Sequence, residues 1–168
     1  MSRLRDKRWF RWATEALIVL VVVVGVHFYT TRGAVRGEAP AIQGVTLDGR
    51  PVALSQWRGR PVLVHFWATW CPVCKLEQGS IANLARSHAV ITVATQSGDA
   101  AKVRAWLRAE GLQMPVLLDT DGSMAAAWGA RGVPASFIID GAGRIRFVEF
   151  GYTTGWGLRL RLWLAKWS

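Results

Sequence analysis

The sequence predicts an α/β domain carried behind one N-terminal membrane-spanning segment. Three observations lead there. Apolar strand-like runs alternate with helical patterns through the C-terminal two thirds of the chain, as in a sheet packed against helices. One run, Pro61 to Trp67 (PVLVHFW), is broken only by His65, which suits a strand buried on both faces at the centre of a sheet. Ala16 to Val26 (ALIVLVVVVGV) forms an apolar run directly behind a basic N-terminus.

The 168 residues suffice for one domain plus a short extra element, and 51% are hydrophobic, enough for a core. Lys and Arg number 21 against 11 Asp and Glu, a net charge of +10. Arg3, Arg5, Lys7, Arg8 and Arg11 precede the apolar run, and the other basic residues are scattered without interleaved aromatics. That distribution argues against nucleic acid. It fits a solvated basic surface, facing water or anionic lipid heads.

Counted from Trp9 to Tyr29, the apolar stretch has the length of about 20 residues that a spanning helix needs. Trp9, Trp12 and Tyr29 then fall at the two interfaces, and His27 near the outer one. Positive charge ahead of the span keeps the N-terminus in the cytoplasm. The expected organisation is a cytoplasmic basic segment (1–12), a signal-anchor helix (13–29), a Gly- and Pro-containing linker (30–40) and a domain (41–168) across the membrane. A cleaved signal peptide is the competing reading. It lacks an Ala-x-Ala site after Val26, so the retained anchor is favoured.

Within the domain, Asp48-Gly49 between two short alternating stretches predicts a hairpin. Ser55 caps a single turn ending near Gly59. After the strand over 61–67 comes a helix from Pro72 to about Ser87, with Leu76, Ile81 and Leu84 among its apolar positions. Val90 to Thr95 is a strand. Asp99 N-caps a helix that Gly111 stops. Pro115 to Leu118 is a third strand, Asp121-Gly122 a turn and SMAAAWGA a short helix. Ala135 to Ile139 and Arg144 to Phe150 form a hairpin around 141–143. In the tail GLRLRLWLAKW, Leu and Arg alternate as in a strand. Leu158, Leu162 and Ala165 also share one helical face, and Leu160, Trp163, Leu164 and Trp167 the other. The helix is favoured. Trp57, Trp106, Trp128 and Trp156 are expected to pack against the domain. Core packing is also preferred to the membrane face for Trp163 and Trp167.

Cys71 and Cys74 are the only cysteines, and they follow a strand and open a helix. Unpaired N–H groups and the positive end of the helix dipole would stabilise a Cys71 thiolate. Pro72 fits the first helical position, where no N–H is needed. Cys74, one turn on, can close a small disulfide. The chemistry indicated is thiol–disulfide exchange, in which Cys71 forms a mixed disulfide and Cys74 resolves it. Three alternatives stay open. A zinc ribbon wants a second cysteine pair, and His65 and His88 lie at unconvincing spacings. A lone pair suits Cu(I), although Met114 and Met124 are distant in sequence. A structural disulfide closing so small a loop would constrain the unfolded chain little.

The segment VLVHFWATWCPVCKLE resembles the active site of thioredoxin-fold proteins, and most of all the membrane-anchored periplasmic group that includes TlpA, ResA and the cytochrome c maturation thioredoxins. IQGVTLDGRPVALSQWRGRPVLV is similar to that group's N-terminal hairpin extension, and LLDTDGSMAAAWGARGVPASFIIDGAGRI to its second half. FVEFGYTTGWGLRLRLW resembles the ScsD-type oxidoreductases linked to copper tolerance. The resemblance covers about residues 41 to 165. It implies a central mixed sheet flanked by helices and a protein-disulfide oxidoreductase that needs no cofactor or metal. It also implies a place in the bacterial inner membrane with the domain in the periplasm, protein substrates, and a membrane electron donor of the DsbD type. Cys71 then matches the nucleophile, Cys74 the resolving cysteine and Trp70 the aromatic beside the nucleophile. Val133-Pro134 matches the cis-proline bond, where the Val133 backbone pairs with an extended substrate. Glu77 matches an acid three positions after the second cysteine, able to exchange a proton with Cys74 if buried. A solvated helix acid is the alternative. His65 departs from the buried Asp of cytoplasmic thioredoxins. A hydrogen-bonded core role is favoured for it over a proton acceptor. Reduction is the direction expected of a tethered member, in cytochrome c maturation or copper tolerance. A copper-handling module and a thiol peroxidase remain as rival functions.

Overall fold

The computed structural model describes Trp9, Trp12 and residues 14–22, 24–25 and 33–167. The chain divides into two compact units, 1–32 and 33–168. In the first, residues 14–22 and 24–25 are helical. Among the described residues no helix is long and apolar enough to cross a membrane. The span expected over 13–29 includes positions 13, 23 and 26–29, which lie outside the described residues, as do most of the basic segment 1–12 and the linker positions 30–32.

The second unit begins with β1 (Gly37–Glu38) and a hairpin of β2 (Gln43–Val45) and β3 (Pro51–Ala53), followed by a 3-10 turn over Leu54–Trp57. Then come β4 (Val62–Trp67), α1 (Pro72–Ala85), β5 (Val90–Thr95), α2 (Ala100–Ala109) and β6 (Val116–Asp119). The chain closes with α3 (Ser123–Ala127), β7 (Ala135–Ile139), β8 (Arg144–Phe150) and α4 (Gly155–Ala165). Six strands form one mixed sheet in the order β1-β8-β7-β4-β5-β6. β4, β5 and β6 run parallel through helical crossovers, and β7, β8 and β1 add on antiparallel.

β4 lies at the centre, with all six residues buried. Its period of two sorts them between the two faces of the sheet. Val62, Val64 and Phe66 face a core containing Ile91, Val93, Trp128 and Phe137. Leu63 faces Ile81 and Leu84 of α1 and Leu158 and Leu162 of α4. His65 alternates with Leu63 and therefore points to the α1 side.

Two stretches differ from expectation. The linker read over 30–40 contributes to the domain, since Ala34 is buried, Val35 N–H donates to Trp128 O, and Gly37 and Glu38 pair with Ile145 and Arg144. A two-residue strand has no period to read, and its partner is more than a hundred residues away. The tail is a helix, capped by Thr154 Oγ1 accepting from Gly157 N–H. Its buried stripe is Leu158, Leu162 and Ala165 alone, so Trp156, Trp163 and Trp167 are 82%, 58% and 73% exposed instead of packed. Trp128 is buried as expected, with Trp57 and Trp106 half-buried.

Candidate active site

The turn after β4 delivers Cys71 to the N-cap of α1 and Pro72 to its first turn. Cys71 Sγ accepts the Cys74 N–H at 3.1 Å and is bonded to Cys74 Sγ. Only Cys71 retains any surface, 5% against 0% for Cys74, so a substrate sulfur reaches Cys71 first. Once the disulfide opens, the N–H already aimed at Cys71 Sγ and the helix dipole favour a thiolate there.

The loop before β7 closes the site. Its Val133–Pro134 peptide is cis, and the Val133 carbonyl oxygen lies 3.6 Å from Cys71 Sγ. On the other side Trp70 is 61% exposed and fixed by its Nε1–H donating to Gln96 O at 3.0 Å. Gln96 takes a left-handed φ of 46° to present that carbonyl. Trp70, Gln96, Asp121, Arg131 and Val133 line a groove of about 640 Å³ running away from the disulfide. The Ser123 N–H and hydroxyl hold the Asp121 carboxyl below its usual range. Lys75 pairs with Glu110 at 2.6 Å, which offsets the charge it could lend to the cysteines.

Beneath the disulfide lies a chain of buried polar groups. Glu77 is 1% exposed and one helical turn beyond Cys74, so the solvated-acid alternative does not describe it. Its Oε2 accepts the Thr153 N–H at 2.9 Å, and its Oε1 faces His65 Nε2 at 3.6 Å. His65, wholly buried, bonds through Nδ1 to Ser136 Oγ at 2.9 Å. At 3.6 Å His65 Nε2 and Glu77 Oε1 are not hydrogen-bonded to each other, and both are buried without a hydrogen-bond partner. Burial lowers the imidazole to about 3, and burial, partly offset by the Thr153 N–H, raises the carboxyl to about 7. The imidazole is therefore neutral at physiological pH and the contact is not an ion pair. The carboxyl is the group that titrates there.

Cys71, Trp70 and Val133 thus border one surface region, with Cys74 and Pro134 buried behind it, Pro72 in the first turn of α1, and Glu77 one turn beyond Cys74 facing His65. His88 is elsewhere, exposed and bonded to Ser87 at 2.8 Å. Among the described residues no group of three or more His, Cys, Asp or Glu is placed to hold a metal. Three contributors escaped the sequence reading. Ser136 sits opposite His65 in the β4–β7 register, a pairing that the strand assignments alone leave open. Thr153 and Gln96 act through backbone atoms, which carry no residue-type signal.

The sequence model of the AhpC/TSA family matches residues 35–148. The thiol:disulfide interchange protein DsbE of Escherichia coli is 34% identical over 154 residues, covering 80% of this chain and 82% of the relative. Thiol-disulfide oxidoreductase ResA of Bacillus subtilis is 29% identical over 161 residues, 90% of each. The crystal structure of a thioredoxin-family thiol:disulfide interchange protein from Chlorobium tepidum superposes with a TM-score of 0.67 at 26% identity, covering 79% of this chain and 98% of that one. The chain belongs to the AhpC/TSA family and is a thioredoxin-like protein-disulfide oxidoreductase.

Proposed function

We propose that this member of the AhpC/TSA family reduces disulfides in proteins of the bacterial periplasm, held at the inner membrane by its N-terminal segment. The carrying observation is a reachable Cys71 bonded to a sealed Cys74, above a carboxyl that titrates near neutrality. In the reduced protein the Cys71 thiolate attacks a substrate disulfide. An S–S bond forms to Cys71 and one substrate sulfur leaves as a thiolate. Glu77 takes the proton of the Cys74 thiol, and the Cys74 thiolate attacks Cys71 Sγ. The second substrate sulfur leaves, the Cys71–Cys74 disulfide is restored, and two electrons have passed to the substrate. Trp70 and the Val133 backbone border the substrate segment, which adds alongside Val133 as a short strand.

Basic residues before the apolar run and aromatics at both its ends support the anchored orientation. The reductive direction follows from the compartment. The periplasm forms disulfides by default, so a tethered exchanger adds most as a reductant, refilled by a membrane dithiol donor of the DsbD type. Cytochrome c maturation and copper tolerance are both settings for the same exchange. The test is the state of Cys71 and Cys74 in living cells, trapped by acid quench and alkylation with a heavy maleimide. A mostly reduced pair is expected, and a mostly oxidised pair would refute the reductive direction.

A further inference from the structure

The outward face of α4 has no part in the redox site. Trp156, Leu160, Trp163, Leu164 and Trp167 recur at helical spacing and are 82%, 57%, 58%, 41% and 73% exposed. The opposite face, Leu158, Leu162 and Ala165, is already packed on the core. α4 is therefore apolar on both sides, and only one side is covered. Its cations flank the open side. Arg159 lies 5.9 Å from the Trp156 ring and Lys166 5.6 Å from the Trp167 ring. Arg161 is on the other flank, paired with Glu149 at 2.6 Å. No acidic residue occurs from Thr153 to the C-terminus.

We propose that α4 docks flat on an anionic phospholipid surface, its tryptophan and leucine stripe in the interface and Arg159 and Lys166 on lipid phosphates. The stripe runs the full helix, about 17 Å at 1.5 Å per residue. Indole rings favour the headgroup boundary, where an apolar body and one N–H donor are both satisfied. A Trp and Leu stripe flanked by cations, with no acid, suits interfacial binding, the long basic side chains reaching lipid phosphates beside the buried rings. Charge complementarity selects the occupant. Two copies joined through this face would bring Arg159 and Lys166 of both to one seam with no acid on either helix, whereas a lipid surface supplies the missing negative charge and lets the long side chains extend to it. Docking through α4 does not require the N-terminal segment to span the bilayer.

The test uses the full chain with phosphatidylcholine–phosphatidylglycerol vesicles, some of whose lipids carry bromines near the glycerol end of their acyl chains. Trp156→Gln, Trp163→Gln and Trp167→Gln are combined, and the emission of this variant is subtracted from that of the native chain, so that the other tryptophans cancel. The difference emission is expected to be blue-shifted and strongly quenched by the brominated lipid. That quenching should be largely lost when phosphatidylglycerol is omitted, or when Arg159→Gln and Lys166→Gln are introduced together. A difference emission that ignores bromine and is quenched by aqueous acrylamide overturns the proposal. Shielding from both quenchers also overturns it, because a second copy or another protein then covers the face. Should the triple variant fail to fold, the Arg159→Gln/Lys166→Gln chain serves alone, and unchanged quenching of its total emission is the refuting result.

Discussion

Replacing Glu77 and His65 one at a time should expose two opposed pH dependences that cancel in the native protein. The Glu77 carboxyl rises from the usual 4.5 to about 7 on folding. The folded state therefore holds a proton that the unfolded chain gives up, and stability falls as pH rises between 4.5 and about 7. His65 falls from 6.5 to about 3, so the unfolded chain binds the extra proton and stability rises with pH between about 3 and 6.5. Each slope is about 1.4 kcal/mol per pH unit. The windows overlap from 4.5 to 6.5, where the two contributions offset each other. Glu77→Gln keeps an acceptor for the Thr153 N–H and removes the falling term. Relative to native, its stability should climb by about 3 kcal/mol across that window. His65→Asn keeps a short partner for Ser136 and removes the rising term, so its stability should drop by a similar amount. Urea unfolding of the oxidised chain at both ends of the window measures this, with all other titrating groups cancelling in the difference from native. Two flat differences would refute the account of a neutral imidazole beside a proton-holding carboxyl.

Other consequences are more direct. Raising the carboxyl from 4.5 to about 7 brings it closer to the thiol range and lowers the cost of taking the Cys74 proton by about 3 kcal/mol relative to an ordinary carboxylate. Glu77→Gln should slow resolution of the mixed disulfide about 100-fold, read by stopped-flow with a disulfide-bonded protein substrate. An unchanged rate would remove Glu77 as the base. Cys74→Ser should accumulate mixed disulfides on Cys71, visible on non-reducing gels, while Cys71→Ser should show none. Substrate adducts of equal yield in the two variants would contradict the burial difference between the sulfurs. Gly129 has φ 66°, and an added Cβ would overlap the Gly33 carbonyl oxygen. Gly129→Ala should cost about 2 kcal/mol or more by urea unfolding, and a neutral effect would mean that the segment at 33–35 is not held there.

How much of this was legible follows from the range of the interactions involved. β4, α1 and the cysteines at their junction are local. A run of apolar residues, a proline at the first helical position and two cysteines one turn apart identify them without knowledge of the rest. The hairpins around Asp48-Gly49 and 141–143 are equally local. The period of two in β4 places His65 opposite Val64 and Phe66, but no period says that Ser136 stands across from it. Glu77 reads as a surface acid on composition alone. It is buried because α1 turns Cys74, Glu77, Gln78 and Ile81 inward together and the segment before α4 supplies the Thr153 N–H. β1 was invisible because its two residues gain order only from β8. The exposed tryptophans of α4 failed a general expectation, that large aromatics pack. That expectation overlooks the capacity of a single helix, which has one stripe to bury, here taken by Leu158, Leu162 and Ala165.

The same burial that hid Glu77 from the sequence suits it to the proton transfer proposed for it. Cys74 has no surface, so water cannot take its proton at the moment of attack. A solvated carboxylate near 4.5 would be a poor acceptor, and one with no hydrogen bond would resist ionising altogether. Glu77 lies between these limits. Burial raises it, the Thr153 N–H restrains the rise, and a neutral His65 meets its second oxygen without adding a charge. The His65 tautomer decides which form of Glu77 it supports. With the proton on Nδ1 and directed at Ser136, Nε2 faces a protonated carboxyl as an acceptor. With the proton on Nε2, it faces the carboxylate as a donor while Ser136 donates to Nδ1. A small closing of the 3.6 Å gap would give either protonation state of Glu77 a matching partner without a buried imidazolium. That is what the role proposed for Glu77, giving and taking one proton in each cycle, requires of its surroundings.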